Sequence, residues 1–218
     1  MPALVETSLS TGQVLFEPGD EVDAVYFPGS ACISVVTIME DGKAVETSTV
    51  GRESAVGLLD VLTTEPSHSR VFAQVAGSAT RVPARAFRTL IATSPTFLKL
   101  VLRHARANVL QAEQGVACNV AHEVHGRLAR WLLMTQDRVG APTFPLTQEY
   151  MSVMTGVQRS TVSVMAGSLK KAGVIGYSRG FVTILNRDAL IAHACECYSV
   201  VGRQFEALRA DDAAEIGR

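Results

Sequence analysis

The chain has 218 residues, 47% hydrophobic and 19% charged, with a mean hydropathy of +0.20; these values exclude a disordered polyelectrolyte and allow one large domain or two small ones. No uncharged apolar run approaches the ~18 to 20 residues of a membrane span, and the start, MPALVETSLSTG, has neither the basic nor the apolar region of an export signal, so a cytoplasmic location is expected. The net charge of −1 is unevenly spread: −5 over residues 1–93, +3 over 94–139, +3 over 140–190 and −2 over 191–218, so any surface for phosphates belongs to the middle and later parts.

From Gln13 to about Phe87 short apolar or alternating runs are broken by turn residues, the pattern of an all-β unit such as a small jelly roll or barrel. The runs are QVLFE, AVYF, CISVVTIM, KAVETSTV, RVFAQVA and ATRVP. Asp41-Gly42 predicts a type I′ hairpin turn, which requires positive φ at both central residues.

After Ser94-Pro95, an N-cap followed by proline at the first helical position, the pattern turns helical for more than forty residues. Leu98, Leu102, Ala105, Val109, Ala112, Val116 and Asn119 alternate steps of four and three, a heptad seam suited to pairing with a second copy of the helix. Packing of the seam on the chain's own β-unit is the competing expectation. Gly115 is expected to loosen the helix end, and a second helix carries Val124, Leu128, Trp131, Leu132 and Thr135 on one side before stopping near Gly140-Ala141-Pro142.

Residues 146–185 divide into two helices and a hairpin. Thr147 is a good N-cap for a two-turn helix burying Tyr150, Val153 and Met154, and Gly156 supplies the positive φ of a tight turn. The next helix, from about Arg159 to Lys171, buries Val162, Ala166 and Leu169 with Met165 beside them, and turns Arg159, Ser160, Ser163, Gly167 and Lys170 outward. Short polar residues with one or two long donors are what a helix in the major groove requires. Arg159 suits bidentate contact to a guanine, and Thr161 and Ser163 suit phosphates or a thymine methyl. VIGY, Ser178-Arg179-Gly180 and FVTIL form a hairpin whose tip places Arg179 over a sugar-phosphate backbone. Together these parts predict a winged helix-turn-helix that binds double-stranded DNA. A winged helix can also be a protein-interaction module, but an outer face that is uncharged or basic throughout favours DNA.

This order of parts, with GVQRSTVSVMAGSLKKAGVIGYSRGFVTI most specifically and QVLFEPGD, YFPGS and VGRESAVG more loosely, resembles the Crp/Fnr family of bacterial transcription regulators over nearly the whole chain. The resemblance implies an α+β fold with a cyclic-nucleotide-binding-like sensory β-roll at 1–93, a dimerisation helix at 94–120, a winged helix-turn-helix at 121–190 and a helical tail at 191–218. It implies a homodimer on a pseudo-palindromic operator, RNA polymerase as a partner, phosphate contacts from Thr147 and Gln148, and base reading by Arg159 with Gln158 and Ser160 beside it. Ser160 stands where better-known members carry glutamate, and Val164 where they carry arginine, so a different operator with more shape readout is expected. In the roll, Asp60 and Arg70 have the ten-residue spacing of the pair that binds cyclic AMP in relatives. Leu59 replaces the glycine of that motif and Val71 its hydroxyl residue, which weighs against a cyclic nucleotide and leaves the effector unassigned. The chain begins close to its first expected strand, with little room for the N-terminal helix of many relatives.

Only Cys32 precedes residue 118, so the iron–sulfur site of the oxygen-sensing branch is not expected. Cys118 and His122 are four apart on a helix, with His125 a turn on, the spacing of a metal or redox pair, whereas Cys195 and Cys197 have no evident partner. Buried cysteine is commonly a small hydrophobe, so no metal and no cofactor is assigned. HEVH at 122–125 lacks the HExxH spacing, and there is no GxSxG, phosphate-loop or dinucleotide motif, so no catalysis is expected. A cupin-like metal enzyme, the alternative from another class, needs clustered histidines on strands, and residues 1–93 contain only His68.

Overall fold

The computed structural model describes residues 4–216; residues 1–3 of the expected roll and 217–218 of the expected tail lie outside the described residues. Its first part is two facing antiparallel sheets. One has the order β1 (Val5–Leu9), β7 (Gly77–Pro83), β3 (Ala24–Pro28); the other β2 (Val14–Phe16), β6 (Arg70–Val75), β4 (Cys32–Ile38), β5 (Ala44–Val50). Between them lie Leu9, Phe16, Val25, Ile33, Val71 and Val82, all buried. The six expected strands are present. Strand β1 was not expected, because VETSL has a single fully buried residue, Leu9, and its strand state comes from pairing along β7 rather than from alternation.

Two helices also interrupt the expected all-β stretch: α1 (Leu58–Thr63) and α2 (Ala84–Thr93). Helix α1 begins at Gly57, whose φ of +83° and approach to the Ala24 carbonyl, 2.9 Å from where a Cβ would stand, admit only glycine. The β4–β5 hairpin differs from the expected type I′ turn. Gly42 alone has positive φ, its N–H donates to the Met39 carbonyl at 2.9 Å, and Asp41 Oδ1 accepts from the Lys43 amide at 3.0 Å. That is a type I turn closed by a left-handed glycine; the Asp41 side chain takes up the amide a two-residue loop would have spent on the ladder.

Helix α3 (Pro95–Ala121) opens on Ser94, whose side chain accepts from the Phe97 amide. It runs through Gly115 without loosening, and the break falls instead at His122 and Glu123, both extended. The helix has three faces. Val101 and Ala105 join the roll core; Ala107 packs with Val201, Phe205 and Leu208 of α8 (Cys197–Ile216); and Leu102, Val109 and Val116 remain 51%, 44% and 68% exposed. The expected seam is therefore split: Ala105 serves the roll, and the seven-residue series 102, 109, 116 is left uncovered.

Helix α4 (Val124–Val139) is enclosed on every side along Leu128–Thr135, more than its one-sided pattern predicted, because it lies between the roll, α8 and the last sheet. Trp131 Nε1 donates to the Glu46 carboxylate of β5 at 3.2 and 3.3 Å. Arg138 pairs with Glu53 at 2.8 Å and donates to Gln111 Oε1 of α3 at 2.7 Å. These contacts fix the later part of the chain against the roll, and Cys32 and Val75 of the roll belong to its core. No helix among the described residues is long and apolar enough to cross a membrane.

Candidate nucleic-acid interface

Helices α5 (Gln148–Thr155) and α6 (Arg159–Lys171) and a sheet of order β8 (Thr143–Pro145), β10 (Phe181–Ile184), β9 (Ile175–Ser178) form the helix-turn-helix and wing. Strand β8 was not read from the sequence; its three residues add an edge to the wing, with Phe144 buried opposite Val182. Thr147 caps α5, its hydroxyl accepting from the Tyr150 amide at 3.2 Å. The buried side of α5 is Met151, Met154 and Thr155, with Tyr150 and Val153 only half-buried, a rotation of the expected face. The cause is contact with the roll, where the Tyr150 ring stacks on Phe72 at 5.8 Å. Gly156 ends the helix at φ +67°.

Helix α6 has the expected bounds, with Val162, Ala166 and Leu169 inside. No side chain caps its N-terminus, so Gln158, Arg159 and Ser160 stand exposed beside free backbone N–H groups at the positive end of the helix dipole. Arg159 is 62% exposed and pairs with Glu149 at 2.9 Å, a contact that was not anticipated. An ion pair this exposed is worth under about 1 kcal/mol and holds the guanidinium in place without committing it. Thr161 and Ser163 are half-buried, and the Ser163 hydroxyl donates to the Arg159 carbonyl at 2.8 Å, so its proton is used within the helix. Val164 is an exposed apolar residue in the middle of the outer face. Lys170 Nζ donates to the Tyr177 carbonyl at 3.2 Å and so ties α6 to the wing. Gln148 is exposed at the first position of α5.

At the wing tip Ser178 pairs with Phe181, leaving Arg179 and Gly180 as a two-residue loop with φ of +49° and +78°. This is the type I′ geometry, found here rather than at Asp41-Gly42, and it turns the exposed Arg179 away from the sheet. The structure thus brings Thr147, Gln148, Gln158, Arg159, Ser160 and Arg179 to exposed positions at the ends of α5, α6 and the wing.

No ion pair joins Asp60 and Arg70 among the described residues. Asp60 lines a cleft of about 240 Å³ between α1, β6 and α3, where burial raises its carboxyl above the usual range. Arg70 lies outside that cleft, bound to Glu17 at 2.6 and 3.0 Å. Among the described residues no arginine or lysine lines the cleft and its one imidazole is the exposed His68, so an anionic ligand there would meet Asp60 with no permanent cation to offset it.

Cys195 and Cys197, which had no evident partner in the sequence, stand beside Cys118 and His122. Nothing in linear spacing signals this, since more than seventy residues separate the two pairs.

Comparison with known proteins places residues 6–94 in the cyclic nucleotide-binding domain family and residues 126–193 in the Crp-like helix-turn-helix domain family. The chain is 24% identical over 201 residues to the global nitrogen regulator of Synechocystis sp., spanning 87% of this chain and 88% of that one. It is 24% identical over 190 residues to the CRP-like cAMP-activated global transcriptional regulator of Mycobacterium tuberculosis, spanning 84% and 85%. Among solved structures, FixK2 from Bradyrhizobium japonicum has the same fold at a TM-score of 0.74 and 17% identity, covering 88% of this chain and 98% of that one.

Proposed function

Because the chain belongs to the Crp/Fnr family of transcription regulators, we propose that it binds double-stranded DNA as a homodimer, with α6 in the major groove and the β9–β10 wing on the adjacent backbone. The observation that carries this reading is the uncapped N-terminus of α6, where Gln158, Arg159 and Ser160 are exposed and Arg159 is held only by its surface pair with Glu149 of α5. Arg159 reads a guanine edge, Thr147, Gln148 and Arg179 hold phosphates, and Val164 replaces a long donor with apolar surface that suits a thymine methyl. The open stripe of Leu102, Val109 and Val116 supports pairing of two α3 helices, which sets the two α6 helices about 34 Å apart on an inverted repeat. In this reading RNA polymerase is the downstream partner, and the cleft beside Asp60 takes an uncharged or cationic signal rather than a cyclic phosphate.

Selection of bound fragments from random double-stranded DNA tests the proposal. An inverted repeat is expected, with relaxed preference at a single base position per half-site after Arg159→Ala and a loss of about 1–3 kcal/mol at that position. Recovery of no repeat, or an unchanged preference in the variant, overturns it.

A further inference from the structure

Outside both matched regions, Cys195, which lies between α7 (Arg187–His193) and α8, and Cys197, the first residue of α8, stand at the end of α3 beside Cys118 and His122. The four ligand atoms lie within 4.8 Å of one another. We infer that Cys118, His122, Cys195 and Cys197 form a tetrahedral site for one thiophilic divalent cation of the zinc(II) class, pinning α8 to the junction of α3 and α4.

The distances fit a single ion. Bonds of ~2.3 Å to sulfur and ~2.0 Å to nitrogen at tetrahedral angles put two thiolates about 3.8 Å apart and a thiolate and an imidazole nitrogen about 3.5 Å apart. Cys118 Sγ and Cys195 Sγ are 3.5 Å apart, and Cys197 Sγ is 3.6 Å from His122 Nδ1. A disulfide would need the two sulfurs at ~2.05 Å, and an iron–sulfur cluster would need its thiolates spread around an inorganic core.

The surroundings are those of an oriented ligand set. His122 Nε2 pairs with Glu196 at 2.9 Å, which leaves Nδ1 as the free ligand atom and fixes the ring, the carboxylate–histidine arrangement common behind metal sites. Gln114 Nε2 donates to Cys197 Sγ at 2.9 Å, a bond that suits a thiolate. On loading, the three thiols each release a proton to solvent and histidine binds through its neutral nitrogen, so the dication and three thiolates leave one net negative charge. Arg130, buried on α4 and with Nε lacking a hydrogen-bond partner, is the one buried cation whose field reaches both Cys118 and Cys195 among the described residues, and it offsets that charge. Cys32, buried in the other cysteine environment between roll and α4, shares no ligand with the group.

The test is metal analysis of the full-length protein purified without chelator, with cobalt(II) exchanged in as a spectroscopic probe. The expected result is about one zinc per chain, and on exchange an intense visible band and sulfur-to-cobalt charge transfer of a tetrahedral thiolate site, for the native chain and for Cys32→Ser. Cys197→Ser should bind at least ten-fold more weakly. His122→Cys should keep the metal with a shifted cobalt spectrum, which holds the test if the serine variant fails to fold. A chain that takes up no zinc after reduction, a six-coordinate cobalt spectrum, iron with inorganic sulfide, or a Cys118–Cys195 disulfide formed in place of metal uptake would each overturn the inference.

Discussion

Replacing Glu46 with glutamine removes a titrating group from the contact between roll and helix-turn-helix unit. The Glu46 carboxylate is enclosed by Trp131 Nε1, Ser34 and Thr49, all of which donate to it. Burial nevertheless dominates these bonds and the attraction of Arg138, and pushes its carboxyl from 4.5 up to about 7. That rise corresponds to about 3 kcal/mol between protonation states as an upper bound. The unfolded chain releases this proton near pH 4.5 and the folded chain near 7, so the folded chain holds more protons in between. The contribution of Glu46 is full below pH 4.5 and is lost as pH rises through 7. Glutamine keeps an oxygen to accept from Trp131 and carries no proton to lose. Urea unfolding at fixed protein concentration, followed by the fluorescence of Trp131, the single tryptophan, should show the stability difference moving in the variant's favour by up to about 3 kcal/mol from pH 4.5 to 8. A difference that stays constant across that range refutes the reasoning, because every other titrating group is common to both chains.

Two further outcomes test the proposed assembly and interface. Val109→Glu places a charge in the middle of the exposed α3 stripe without touching the roll core, and sedimentation velocity should show a dimer for the native chain and a monomer for the variant at the same micromolar concentration. Arg179→Ala should weaken binding about equally on all DNA sequences and reduce the slope of log affinity against log salt by about 1 per contact removed, measured by fluorescence anisotropy from low to physiological salt.

Much of this was legible in the sequence where local chemistry decides the structure. Thr147, Gly156 and the bounds of α6 follow from capping, turn geometry and the inner series Val162, Ala166, Leu169, none of which depends on distant residues. The failures share a cause in long-range packing. Strand β1 is made by its neighbour β7, α4 is enclosed by three elements where its pattern showed one buried side, and α5 is rotated by the stacking of Tyr150 on Phe72. The type I′ turn was expected at Asp41-Gly42 and is found at Arg179-Gly180, because both dipeptides permit it and only loop length in the folded hairpin chooses. The cysteine and histidine group was half-read, as Cys118 and His122 share a helix, whereas the tail that supplies Cys195 and Cys197 reaches them only by folding back along α3.

The division of α3 into three faces gives the fold a way to join its parts. Val109 and Ala112 line the cleft beside Asp60 and also belong to the heptad series on which the proposed dimer rests. On the opposite side Arg103 and His104 hold Asp212 of α8 at 3.2 and 2.8 Å, and the helix ends in Cys118 and His122. A ligand entering the cleft would displace side chains that the partner helix also needs, while α8 holds the other face against rotation. The helix then has two loads, with Val109 and Ala112 common to both. In the proposed dimer, filling the cleft therefore changes the spacing of the two α6 helices only to the extent that it moves Val109 and Ala112. A substitution such as Asn108→Ala, which removes the bond to the Ala55 carbonyl at 3.1 Å and loosens the cleft wall without touching the stripe, should alter the response to a ligand while leaving dimerisation intact. Loss of the dimer in Asn108→Ala, measured by the same sedimentation experiment, would mean that cleft and seam are one structural unit rather than two loads on a shared helix.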